Sequence, residues 1–123
     1  MSNLCLVVDD SKVVRKVVIK MIEPLGFAIA EAGDGAEAVA QCQAAMPRLV
    51  ILDWNMPVMD GLTFLKSLRA MPGGDAPVVI MCTTENDFAK IQEAIMSGAN
   101  EYVMKPFDEE IIKGKLSQLG LIN

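Results

Sequence analysis

Four side chains of this sequence could act together on phosphorus: Asp9, Asp10, Asp53 and Lys105. Each stands at the end of a short strand pattern. Asp9 and Asp10 close Leu4–Val8, Asp53 closes Leu49–Leu52, and Lys105 follows Glu101–Met104. Two ionised carboxylates about 4 Å apart repel by roughly 4 kcal/mol at an effective dielectric near 20. Three in one crevice therefore need a cation or large pKa shifts. Lys105 is one available cation, a compact ammonium with three donors. A metal is the other, and all-oxygen ligands with no histidine select a hard ion that keeps waters, as Mg2+ does. A carboxylate can attack phosphorus to form an aspartyl phosphate. Such a site needs a metal across the phosphoryl oxygens, a cationic clamp and a hydroxyl or backbone donor. Asp53 would be the nucleophile, Asp9 and Asp10 the metal ligands, Lys105 the clamp, and Thr83 or Thr84 the hydroxyl.

The elements that must carry these residues are legible as alternating patterns. Leu4–Val8, Leu49–Leu52 and Val78–Cys82 are unbroken apolar runs, the signature of strands buried on both faces of a parallel sheet. Phe27–Ala32 is mixed and predicts an edge strand, and Glu101–Met104 a short fifth one. Between them, helical spacing recurs. Ser11 is the expected cap of a helix that turns Val14, Val17, Val18, Met21 and Leu25 inward and ends at Pro24 and Gly26. Gly33-Asp34-Gly35 reads as a turn before a helix over Ala36–Ala45 with Val39 and Cys42 inward, stopped by Pro47. Leu62, Leu65, Leu68 and Arg69 mark a third helix, closed by Pro72-Gly73-Gly74. Asn86 is the expected cap of a fourth, with an apolar stripe of Phe88, Ile91, Ala94 and Ile95. Asp108 would cap a last one carrying Ile112, Leu116 and Leu119, in which Gly114 costs about 1 kcal/mol relative to alanine. Strands alternating with helices predict an α/β fold: a doubly wound five-stranded parallel sheet with five helices on its two faces and right-handed crossovers. The order 2-1-3-4-5 sets strands 1 and 3 side by side at the switch point, so that Asp9, Asp10 and Asp53 meet.

Composition bounds the rest. With 123 residues and 13.3 kDa, the chain suits one domain with a proper core. A hydrophobic share of 52% with only 5% aromatic residues indicates aliphatic, close packing. The net charge of −5 and pI near 4.6 exclude nucleic-acid binding as the main role. No apolar run approaches the roughly 20 residues that span a bilayer, and Met1-Ser2-Asn3 opens no secretory leader. Cys5, Cys42 and Cys82, widely spaced in a chain without histidine, suit buried thiols rather than zinc or a disulfide framework. The expected location is cytoplasmic, with no membrane partner.

Taken together, Val8-Asp9-Asp10-Ser11, Gly33-Asp34-Gly35-Ala36-Glu37-Ala38, the stretch Asp53 to Gly61, Thr83, and Tyr102-Val103-Met104-Lys105-Pro106-Phe107 closely resemble the receiver domain of two-component response regulators, the stand-alone CheY-like kind with a flavodoxin-like fold. The resemblance spans nearly the whole chain, and implies a single receiver domain over residues 1–123 with no output domain. It implies Asp53 as phospho-acceptor, loaded by a histidine kinase or phosphotransfer protein. Asp10, Asp53 and the Asn55 main-chain carbonyl would be direct Mg2+ ligands, with Asp9 acting through water. Lys105 matches the phosphoryl clamp and Thr83 and Tyr102 the switch positions. Asn55 and Glu85 stand where the phosphoryl lifetime is modulated, and Thr84 replaces the small residue usual after the switch threonine. The resemblance also implies a cis Lys105–Pro106 bond. A downstream protein target would bind the face made by helix 4, strand 5 and helix 5, with Ile111 and Lys115 as candidate contacts. Motor messenger, kinase regulator and phosphate sink are equally compatible. Two other readings share the strand-end acids or the fold. A haloacid-dehalogenase-type Mg2+-dependent phosphatase would typically pair its nucleophile with a second Asp two residues on, where this chain has Asn55. A flavodoxin-like cofactor binder would need a glycine loop where Asp9-Asp10-Ser11 stands.

Overall fold

The chain builds outward from Leu49–Asp53 (β3), every residue of which is buried. The computed structural model describes residues 3–56, 58–83 and 88–122. β3 pairs with Leu4–Val8 (β1) on one side and with Val78–Thr83 (β4) on the other; Ala28–Ala32 (β2) and Glu101–Met104 (β5) complete a five-stranded parallel sheet. Its order is β2-β1-β3-β4-β5, the order expected from setting strands 1 and 3 side by side. Val8 faces Leu52 across β1 and β3, and Thr83 faces Met104 across β4 and β5. Asp9, Asp53, Thr83 and Lys105 therefore all emerge at one edge, the carboxyl end of the sheet.

Five helices cover the two faces: Lys12–Ile22 (α1), Gly35–Ala44 (α2), Gly61–Ala70 (α3), Phe88–Met96 (α4) and Glu109–Gln118 (α5). The strands alternate their side chains between the two layers, as the pleat requires. Val50 and Leu52 join Phe64, Leu65, Leu68 and Ala94 under α2, α3 and α4. Leu49 and Ile51 join Val18, Ile22, Ile112 and Leu116 under α1 and α5. Ser11 and Asp108 cap α1 and α5 as expected, accepting from the amides of Val14 and Ile111. Asp34, which reads as a turn residue, and Asp60 also cap helices, accepting from the amides of Glu37 and Thr63 at 2.8 Å. The expected Asn86 cap lies outside the described residues. The Lys105–Pro106 peptide is cis. Cys5, Cys42 and Cys82 are free and buried, and no helix among the described residues is long and apolar enough to cross a membrane.

Several expectations are corrected in detail. In α1 the buried stripe runs through Val18 and Ile22, while Val17, expected inward, is 48% exposed. Val13, Val14, Val17 and Val18 offer two equivalent apolar faces, and docking on β1 and β3 selects one. Pro24 ends α1 at Ile22; Glu23–Leu25 tightens into a 3-10 turn that Gly26 closes at φ 99°. In α3 the fully buried Phe64 was not anticipated. In α4 only Ala94 is buried, and Phe88 (87% exposed) and Ile95 face solvent although they continue the apolar spacing.

Two glycines should respond to alanine with opposite signs. A Cβ at Gly61 would collide with the Asp53 carbonyl oxygen, whereas one at Gly114 would meet nothing within 4 Å. Gly114→Ala should raise stability by about 0.4–1 kcal/mol, and Gly61→Ala should lower it by about 1–3 kcal/mol through overpacking. Urea denaturation of both variants checks the pair.

Candidate functional site

Backbone hydrogen bonds that continue past the strands fix the positions of the acidic and basic residues. The Asp9 amide donates to the Ala32 carbonyl (3.1 Å), the Trp54 amide to Cys82 (3.0 Å) and the Lys105 amide to Thr83 (2.8 Å). Carboxylate oxygens of Asp9, Asp10 and Asp53 consequently lie within 4.8 Å of one another. The Lys105 ammonium bridges two of them, donating to Asp9 Oδ2 at 2.9 Å and Asp53 Oδ1 at 3.0 Å. Asp9 Oδ1 accepts from the Ser11 amide at 2.9 Å. Asp9 and Asp53 are buried, Asp10 is exposed, and no hydrogen bond or ion pair among the described residues falls on the Asp10 carboxylate.

Burial pushes the Asp53 carboxyl above its ordinary pKa. The hydrogen bond from Lys105 opposes this, and repulsion from Asp9 and Asp10 adds to it. Burial by itself would lower the Lys105 pKa, but its hydrogen bonds to Asp9 and Asp53 outweigh that and hold it above the usual lysine value. One ammonium shared among three carboxylates leaves two negative charges over when all are ionised. That excess matches a divalent cation. An all-oxygen donor set with one carboxylate open to water fits Mg2+, which keeps part of its hydration shell.

The remaining sequence candidates divide between this pocket and its surroundings. Asn55 is exposed on the loop two residues past Asp53. Thr83 is buried, and together with Trp54, Met81, Lys90, Ile91, Ala94 and Tyr102 it lines an apolar crevice beneath α4 that is too tight to hold a water molecule. Tyr102 is half-buried; the Lys115 ammonium stands 5.9 Å from its ring centroid and pairs with Glu101 at 3.4 Å. Ile111 is exposed. Thr84 and Glu85 lie outside the described residues. Sequence reasoning missed Arg15, whose Nη1 donates to the Asp9 carbonyl at 2.6 Å. Its place on the second turn of a helix next to the acids was the one available hint.

Comparison with known proteins agrees with this architecture. Residues 5–117 match the family model of the response regulator receiver domain. The chain is 39% identical over 113 residues to the chemotaxis protein CheY1 of Helicobacter pylori, covering 90% of this chain and 91% of that one. It is 35% identical over 115 residues to the chemotaxis protein CheY of Pseudomonas aeruginosa, covering 93% of each. Among solved structures, the chemotaxis protein CheY4 of Vibrio cholerae is similar with a TM-score of 0.89 at 35% identity, over 96% of this chain and 98% of that one.

The raised Asp53 pKa has a measurable consequence in metal-free protein. A carboxyl whose folded pKa exceeds its unfolded value favours folding below the ordinary carboxylate range, and that contribution is lost as pH rises through the folded pKa. Asp53→Asn has nothing to ionise there. In EDTA it should melt above wild type at pH 7, with the gap closing as pH falls through the carboxylate range. Saturating Mg2+ should invert the order, stabilising wild type by about 2.7 kcal/mol at a hundredfold excess over its Kd and the variant far less. A variant that melts below wild type at pH 7 in EDTA would contradict the crowding of acids.

Proposed function

The chain belongs to the response regulator receiver domain family, whose CheY-type members are signalling proteins of two-component systems, and we propose that Asp53 is its phosphoryl acceptor. The observation that carries this is the Lys105 ammonium bound to Asp53 inside a cluster of three carboxylates. A carboxylate oxygen of Asp53 attacks the phosphorus of a phosphohistidine on a histidine kinase or phosphotransfer protein. The new P–O bond forms as the P–N bond breaks, and the released electron pair stays on the imidazole, which takes up a proton. Lys105, already beside Asp53, donates to the transferred group, and the Thr83 hydroxyl approaches it from the end of β4. Asp10, Asp53 and the Asn55 carbonyl would hold Mg2+, which would supply neutralisation of charge on the phosphoryl oxygens. Both Asp9 oxygens already accept hydrogen bonds, which supports its acting on the metal through water. Attack of water on phosphorus later breaks the P–O bond and returns carboxylate and phosphate; Asn55 and, by its sequence position, Glu85 are the candidates for setting the rate. The phosphatase alternative has no support in the family match, and exposed Asn55 is no second acid.

Two surfaces serve the partners. A groove of about 400 Å3, lined by Val13, Val17, Met21, Pro106 and Phe107, has Lys105 among its lining residues. A phosphohistidine-bearing donor must come within bonding distance of Asp53, and this apolar wall beside the clamp can hold it there. The downstream target meets the α4–β5–α5 face, where Phe88, Ile95, Met96, Met104 and Ile111 are exposed. Thr83 and Tyr102 line one tight crevice under α4, so movement of Thr83 toward the phosphoryl group would open the space into which the tyrosine ring can turn.

Acetyl phosphate with Mg2+ should label Asp53, and Asp53→Asn should take up no label. Val13→Glu with Val17→Glu should slow transfer from a phosphohistidine protein about tenfold or more and leave acetyl phosphate labelling within twofold; equal loss with both donors would refute the groove's role. For the output face, beryllofluoride should tighten target binding about 5–150-fold, the range of 1–3 kcal/mol of coupling. Thr83→Ala and Tyr102→Ala should each remove most of that gain in a titration, and retention of the full gain by both would place the signal elsewhere.

A further inference from the structure

We propose that Arg15 is a positioning residue for the acidic pocket: by gripping the Asp9 carbonyl it sets the Asp9–Asp10 peptide plane and thereby aims the Asp10 carboxylate. This rests on the reading of Asp10 and Asp53 as Mg2+ ligands. Every polar atom of Asp9 is engaged. Its amide donates to Ala32, its two carboxylate oxygens accept from Ser11 and Lys105, and its carbonyl accepts from Arg15 Nη1 at 2.6 Å. Asp10 is the opposite case, exposed and with no hydrogen bond or ion pair on its carboxylate among the described residues. Its direction is therefore inherited from its backbone. The Asp9 carbonyl and the Asp10 amide belong to one planar unit that also contains the Asp10 Cα, so fixing that oxygen fixes where the Asp10 side chain starts.

Arg15 is well placed to hold the plane rigidly. Its own amide donates to the Ser11 carbonyl at 2.9 Å, tying the first turn of α1 to the same loop. Its Nε donates to Glu31 Oε1 at 3.0 Å on the edge strand β2, so the guanidinium spans two elements with its fork. The side chain is only 16% exposed. Coulomb attraction to the metal cannot be its purpose, because a cation beside the pocket disfavours another cation. Geometry and electrostatics thus predict opposite signs for its removal. Loss of positioning weakens Mg2+ binding; loss of charge, which also leaves Glu31 unpaired, strengthens it.

Mg2+ titrations followed by Trp54 emission and by calorimetry decide between them, using wild type, Arg15→Met, Arg15→Lys, Asp10→Asn and Arg69→Met. Partners that orient metal ligands typically contribute 10–100-fold in affinity, so Arg15→Met should bind Mg2+ about tenfold more weakly. Arg15→Lys keeps the charge without the fork and should fall between that variant and wild type. Arg69→Met controls for the loss of a positive charge and of arginine–carbonyl bonds, since Arg69 binds the carbonyls of Gly74, Pro77 and Gly98 away from the pocket; it should bind Mg2+ as wild type does. Arg15→Met binding as tightly as wild type, or more tightly, overturns the proposal while Asp10→Asn still shows that the metal site is real. Wild type and Asp10→Asn binding alike would instead overturn the metal reading beneath it. If Arg15→Met does not fold, Arg15→Lys decides, and wild-type affinity in that variant overturns the proposal.

Discussion

The structure depends on one electrostatic constraint: a single ammonium, Lys105, stands among three carboxylates that the sheet forces together. Asp53 belongs to the wholly buried strand β3, so it cannot withdraw into water. Asp9 is equally fixed, by the register of β1 against β2 and by the Ser11 amide. The repulsion is therefore built into the fold rather than relaxed by side-chain motion. Burial is the first cause of the raised Asp53 pKa and this repulsion adds to it, and any cation or phosphoryl chemistry at this edge works against that background.

Holding such a cluster requires rigid surroundings, and the loops at the carboxyl edge are packed accordingly. Gly61, at the start of α3, donates its amide to the Trp54 carbonyl and lies too close to the Asp53 backbone for a side chain. Gly35 donates to the Met59 carbonyl, and a Cβ there would strike Met59. The loop after β3 is thus stitched to the starts of both α2 and α3. Below it, Phe64, Leu65 and Leu68 fill the space beneath the sheet. Among the described residues no buried side-chain nitrogen or oxygen lacks a partner, which keeps the cost of burying these charges from growing further.

Away from the pocket the fold is fastened unevenly. Arg69, on α3, binds the Gly98 carbonyl through two nitrogens at 2.7 and 3.1 Å and reaches the Gly74 and Pro77 carbonyls as well. The turn after α4 is therefore anchored to α3. The body of α4 is held more lightly: Ala94 is its one buried residue, and most of its other side chains are exposed. Helix packing this sparse, beside a tightly organised acidic edge, suits an element that can take up a second arrangement.

The sequence by itself determined the strands and the acids that close them, because unbroken apolar runs ending in carboxylates are a one-dimensional signal that survives without knowledge of neighbours; the sheet order does not follow from those runs, only from requiring the acids of strands 1 and 3 to meet. Leu49 to Asp53 and Leu4 to Asp10 read correctly for that reason, and so did the caps Ser11 and Asp108. Tertiary structure alone decided which of two valine faces α1 would bury, since Val13, Val14, Val17 and Val18 satisfy helical spacing either way and only the surface beneath distinguishes them. It likewise put Phe88 and Ile95 in solvent and Phe64 in the core. The exact bonds that Asp9 makes belong to the same class, although Lys105 was legible as a cation among the acids and only Arg15 was not. Arg15 and Lys105 lie 6 and 96 residues from it, and a hydrogen bond between such positions depends on distances that are set only when strands pair and helices dock, which no local periodicity encodes.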